Sequence, residues 1–152
     1  MPGTVSDLRK HVGFWMRLVS NQVSQAFARR LEGSGVTVAE WVILREMYDG
    51  DKVMAPSQVA QLTGLTRGAV SKLIDRLVEK DLVVRKEASS DRRYQDIRLS
   101  RAARALVPQL SRHADENDET FFSVLSASER RQLLDLLKKT ADLNHLTRIP
   151  LE

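Results

Sequence analysis

Two clusters of residues in this sequence could do chemistry, and both are cationic. The first starts at Thr66-Arg67-Gly68, passes Ser71-Lys72 and ends at Arg76; the second is the run Asp91-Arg92-Arg93 within ASSDRRYQDIRLS. A turn needs Gly, Asn or Asp, so two adjacent arginines behind an aspartate go beyond what turn formation requires. Arginine, lysine and serine side chains donate hydrogen bonds, and arginine and lysine also neutralise negative charge, which suits them to a polyanion such as a nucleic-acid backbone.

Other chemistries have less support. The chain has no cysteine, which removes disulfides, Cys-ligated zinc, thiol nucleophiles and thiol redox sensing. His11, His113 and His145 fall on three different predicted helices, with no Ser/His/Asp arrangement and no phosphate-cradling glycine loop. The chain is therefore not read as an enzyme, and no cofactor is implied. His113 and Glu116 share a helical face and would need a third ligand to hold a metal, whereas the acidic stretch ADENDE around them reads as solvated surface.

The charge distribution agrees with the cationic clusters. The net charge is +4 with 24 Lys/Arg and 20 Asp/Glu, yet residues 66–104 alone hold 11 Lys/Arg against 6 Asp/Glu. All the excess positive charge thus lies in the middle of the chain, where the alternative to a binding face is an ordinary solvated one. At 152 residues the chain fits one domain able to bury its own core. No stretch approaches the roughly 18 apolar residues of a membrane span, and the N-terminus lacks a signal-peptide apolar region, so the expected location is cytoplasmic.

The elements that position these residues follow from periodicity. Leu8, Val12, Trp15, Met16, Val19, Val23, Phe27 and Leu31 step by three and four, which predicts one amphipathic helix from Ser6 to Leu31, ended by Gly33 and Gly35. Thr37-Val38-Ala39-Glu40 reads as a capping box opening a second helix that stops near Gly50. Pro56 suits the first turn of a short third helix, residues 55–62, closed by Gly64. Thr66 then caps a helix over residues 66–80 whose inward face is Val70, Leu73, Ile74 and Leu77. Leu82 to Lys86 and Gln95 to Leu99 read as an antiparallel pair. Ser100 caps a long helix in which Pro108 predicts a bend, and Ser126-Ala127-Ser128-Glu129 is a second capping box before a last, leucine-rich helix.

Short helix, turn, helix and two-stranded wing make a winged helix-turn-helix, so the fold class is mainly α with a small antiparallel β-wing and long terminal helices. The other reading of the same pattern is a small helical bundle with a solvated basic helix. In the winged form, Arg67, Gly68, Ser71, Lys72 and Arg76 would enter a major groove about 12 Å wide, Lys72 donating to a guanine edge and Arg67 and Arg76 clamping phosphates. Ser57, Gln58 and Thr66 complete the expected DNA-facing set. At the wing tip, Asp91 would restrain Arg93 by a charge-assisted hydrogen bond, leaving Arg92 to probe the minor groove; alternatively Asp91 is an ordinary turn residue.

The segment LTRGAVSKLIDRLVEKDLVVRKEASSDRRYQDIRLS resembles the signature segment of the MarR family of bacterial transcriptional regulators. The resemblance extends to the first helix, the VTVAEWVIL segment and the last two helices. It implies a homodimer whose base is built from residues 1–35 and 101–150, with residues 36–100 as the DNA-binding region of one continuous domain. It also implies a palindromic operator with Arg92 in the minor groove, and repression relieved by a small aromatic or phenolic effector. His11, Trp15, Trp41 and Arg45 are the residues here that could line its crevice. Two positions depart from the pattern: Asp81 and the RAARAL segment stand where the family commonly has glycine. A metal-responsive regulator of this fold, or a winged-helix module that contacts only proteins, are the alternatives. The apolar stripes at the two chain ends favour a core shared between copies, independently of the resemblance.

Overall fold

The computed structural model describes residues 3–87 and 95–151. Among the described residues six α-helices and one two-stranded sheet follow in order: α1 Val12–Leu31, α2 Val38–Tyr48, α3 Pro56–Thr63, α4 Arg67–Glu79, β1 Val83–Glu87, β2 Gln95–Leu99, α5 Arg101–Phe121 and α6 Ala127–Leu143. The strands pair antiparallel with Val83 opposite Leu99 and Glu87 opposite Gln95.

The first helix starts later than its periodicity predicts. Asp7 accepts the Arg9 N–H and sets a separate 3₁₀ turn, Leu8–Lys10, after which His11 is extended. The Trp15 indole N–H closes on the Arg9 carbonyl at 2.8 Å, so local side-chain bonds replace helix here. Only the far end of α1 reaches the core, through buried Leu31 and half-buried Phe27.

The predicted capping box of α2 is half realised. Thr37 accepts the Glu40 N–H as expected. The Glu40 carboxylate, however, is fully buried and turned inward to Lys80, so it cannot return to the Thr37 backbone. By contrast the α6 box is complete: Ser126 accepts from Glu129 N–H, and Glu129 accepts from Ser126 N–H. Hydrogen bonding from Ser126, its backbone N–H first and then its side chain, holds the Glu129 carboxyl below its ordinary range.

Asp81 sits in the left-handed region at φ 56, the conformation its place at the helix exit requires. The Leu82 N–H reaches back to the Leu77 carbonyl (2.9 Å) and the Asp81 N–H to Val78 (3.0 Å), a Schellman closure of α4. The Ser100 hydroxyl donates to the Asp81 carbonyl at 2.6 Å and pins this non-glycine turn. Because Leu82 is used in that closure, β1 begins one residue later than predicted. Met54 adds a short bridge to the wing, exchanging both backbone hydrogen bonds with Ile97.

The core gathers the inner faces of α2, α4, the wing and the first half of α5, including Ile43, Leu44, Met47, Leu73, Leu77, Ile97 and Val107. Helix α6 buries no residue, and Leu134, Leu136, Leu137 and Leu143 remain exposed along it. Leu8, Val12, Trp15 and Met16 are exposed at the opposite chain end. No helix among the described residues is long and apolar enough to cross a membrane.

Candidate nucleic-acid interface

Helix α4 separates its two faces as the sequence predicts. Val70, Leu73, Ile74 and Leu77 are buried, while Arg67, Gly68, Ser71, Lys72, Asp75 and Arg76 are exposed. Thr66 starts the helix by accepting the Ala69 N–H at 3.2 Å. Gly64, at φ 74, makes the turn from α3, where the left-handed conformation suits glycine.

The exposed cations of α4 differ in freedom. Arg76 Nε stands 3.9 Å from Glu40 Oε1, and beyond the helix end Lys80 Nζ meets both Glu40 oxygens at 2.9 and 3.0 Å and the Gly35 carbonyl at 2.7 Å. Asp75 pairs with Arg85 of β1, tying the recognition helix to the wing. Among the described residues no carboxylate pairs with Arg67 or Lys72, which leaves both available to a ligand. From Lys52 to Ile74 the sequence contains no acidic residue at all, so the surface of α3, the turn and the first half of α4 has no negative side chain of its own.

On α3, Ser57 and Gln58 are exposed. The Gln58 carbonyl accepts the Ala55 N–H at 2.7 Å, so this side chain caps its own helix as well as facing outward. Val84, Arg85 and Lys86 are exposed on β1 and Arg98 on β2. Asp91, Arg92 and Arg93, the proposed wing tip, lie outside the described residues.

The four residues expected to line an effector crevice occupy different surroundings. Trp41 is buried and stacks edge-on against Phe27, whereas Trp15 is half exposed and stacks edge-on against Phe14. His11 Nδ1 lies 3.1 Å from the Leu8 carbonyl. Arg45 pairs with Asp49 at 3.0 Å and lies over the Tyr48 ring. The candidate metal residue Glu116 is engaged by Arg30 at 3.3 Å, and the described residues contain no group of three or more His, Asp or Glu placed to hold a metal.

Sequence reasoning missed two polar groups of this architecture. Asn117 is buried and donates to the Val23 carbonyl at 3.2 Å, fastening α5 to α1. Its only sequence signal was an asparagine on the inward stripe of an amphipathic helix. The partner of Lys80, Glu40, lies 40 positions away, which no local pattern in the sequence marks.

Residues 34–93 match the MarR family. The whole fold is similar to solved structures of such proteins. Bordetella bronchiseptica BpsR, described with a mechanism for regulation of its DNA binding by 6-hydroxynicotinic acid, is 25% identical at a TM-score of 0.79, covering 91% of this chain and 98% of that one. A mutant MarR from E. coli complexed with operator DNA is 23% identical at a TM-score of 0.76, covering 89% and 99%. A MarR-family transcriptional regulator from Rhodococcus sp. RHA1 is 24% identical at a TM-score of 0.79, covering 90% and 96%.

Proposed function

The chain carries a MarR-family winged helix within a fold that MarR regulators share, and on that premise we propose that it is a homodimeric, sequence-specific double-stranded DNA-binding repressor. The observation that carries this reading is α4: a helix docked by four apolar residues that turns Arg67, Gly68, Ser71 and Lys72 outward, at the end of a segment, Lys52 to Ile74, without an acidic residue. A helix so presented enters the major groove, its polar side chains reading base edges and its arginines holding phosphates.

In this reading Lys72 and Ser71 face the bases. Arg67, Arg76, Ser57, Gln58 and Thr66 set the register on the backbone. Arg92 enters the minor groove while Asp91 restrains Arg93. Residues 36–100 form the DNA-binding region, and residues 1–35 and 101–150 form the dimer base, which supports binding to a palindromic operator. A small aromatic or phenolic effector releases the DNA by favouring a spacing of the two recognition helices that does not fit the operator. The likeness to BpsR supports that effector class, with His11, Trp15, Trp41 and Arg45 as its proposed surroundings.

The test is selection of duplexes from a random-sequence library with the full chain, followed by titration of the selected duplex at several salt concentrations. The expected result is enrichment of an inverted repeat. Lys72→Ala should then lose about 1–3 kcal/mol and relax discrimination at one position of each half-site. Arg92→Ala should weaken binding and flatten the salt dependence. Absence of any enriched sequence, or two variants that bind like the unaltered chain, would overturn the reading.

A further inference from the structure

The chain does not leave the molecule after α6. Helix α6 closes through His145 at φ 54, with the Leu146 N–H on the Ala141 carbonyl at 2.9 Å, and the tail then runs back to the turn between α3 and α4. There the Ile149 N–H donates to the Leu62 carbonyl at 2.9 Å, one of the last carbonyls of α3 and so without a helical partner of its own. The Arg148 side chain lies across Gly64: a Cβ on that glycine would stand 2.8 Å from Arg148 Cδ and 3.1 Å from its Nε and Nη1. Gly64 is favoured by its φ, and the flexible end of Arg148 packs over it. Leu151 lines a recess together with Ala39, Leu65, Ala69, Lys72, Leu73 and Arg76, which sets the end of the tail beside the recognition helix.

Arg148 is exposed, and among the described residues no carboxylate pairs with it. The tail therefore brings a guanidinium to the turn of a segment, Lys52 to Ile74, that carries Arg67 and Lys72 and no acidic residue, with Glu46 in the recess beside Thr147. Gly64 stands only three residues before Arg67, at the end of the recognition helix that meets DNA first, where a phosphate would find the Arg148 guanidinium.

We propose that Arg148 is a further DNA-backbone contact, held against the helix-turn-helix by the C-terminal tail. The proposal rests on the DNA-binding reading above and adds a contact from outside the winged helix. Wedged over Gly64 and fixed through Ile149, the guanidinium takes a phosphate flanking the one held by Arg67. Each subunit then neutralises one more phosphate than its winged helix supplies.

The test uses the full chain and the duplex selected with it, titrated by fluorescence anisotropy between 50 and 200 mM salt. Arg148→Ala should reduce the slope of log K against log salt by about one per bound subunit and weaken binding roughly three- to tenfold near 100 mM salt. Arg148→Lys should keep most of the slope. Ile149→Pro, which removes the seating N–H and leaves the charge in place, should reproduce much of the Arg148→Ala loss. Unchanged affinity and slope in Arg148→Ala would overturn the proposal, as would tighter binding, which would make the tail a competitor of DNA. Failure of the unaltered chain to bind any duplex would overturn the DNA-binding reading and this contact with it, whereas normal binding by the unaltered chain and Arg148→Ala alike would overturn this contact alone.

Discussion

Glu40 is the residue whose neighbours change most between sequence and structure. Thr-x-x-Glu at a helix start is a local signature, and its threonine half holds because the Glu40 N–H is three residues away. The glutamate half fails because a stronger partner arrives from across the chain: Lys80 gives its ammonium to both carboxylate oxygens, and Arg76 Nε stands 3.9 Å away. A fully buried carboxylate needs such compensation, since desolvating an unpaired charge costs several kcal/mol. Lys80→Ala is therefore expected to destabilise the fold by about 2–4 kcal/mol in urea denaturation, the lower part of the range applying if Arg76 swings in. Glu40→Gln should cost less, because its amide oxygen still accepts from Lys80. Equal losses in the two variants would mean that the buried charge is not what Lys80 answers. The pair joins α2 to the exit of α4, so it also sets how the recognition helix is held.

At the scale of elements, the sequence was most legible where a pattern is satisfied within its own segment. The outward and inward faces of α4 and the Thr66, Ser100 and Ser126 caps all depend on neighbours a few residues apart, and each appears as read. The start of α1 was misread because the apolar stripe continues through His11 while Asp7 and Trp15 hold the backbone out of the helix. The Met54 bridge and the tail on α3 were invisible for another reason: both are backbone hydrogen bonds between distant segments, which leave no mark on side-chain periodicity. The seam between α5 and α6 allows a prediction in pH. Asp118 lies there beside Phe122, Leu133 and Leu137, and burial first, then the Asp115 charge, raises its carboxyl above the ordinary aspartate value of 3.8. A carboxyl that binds its proton more tightly in the folded chain favours the fold at low pH, and that contribution is lost as pH rises through the folded value. Asp118→Asn should accordingly raise Tm at pH 7, with the gain shrinking as pH falls toward the ordinary aspartate value. A Tm difference that stayed constant across that window would remove desolvation of Asp118 as its cause.

At the scale of the whole molecule, the two chain ends leave more apolar surface than a single copy covers. Val12 is 74% exposed, Leu136 62% and Leu143 70%, while the core proper is filled from α2, α4, the wing and the first half of α5. Scattered exposed leucines need no explanation, but a helix with no buried residue and four exposed leucines along its length is poorly accounted for as a monomer surface. A two-fold partner offers the same stripe in return, which makes self-association the economical cover. The proposed dimer then couples stability to concentration. Tm should rise as the chain is concentrated from micromolar to hundreds of micromolar, because the partner binds only the folded state. The paired change Leu136→Glu with Leu143→Glu places like charges on the stripe without touching the winged-helix core. Sedimentation equilibrium should find that variant monomeric, with Lys80 still on Glu40 and near-native helix content by circular dichroism. Its monomers should bind a single half-site only weakly, since the second recognition helix is no longer delivered by the first. A variant that stayed dimeric would place the two-fold interface elsewhere on the molecule, on α1 and α5 without α6.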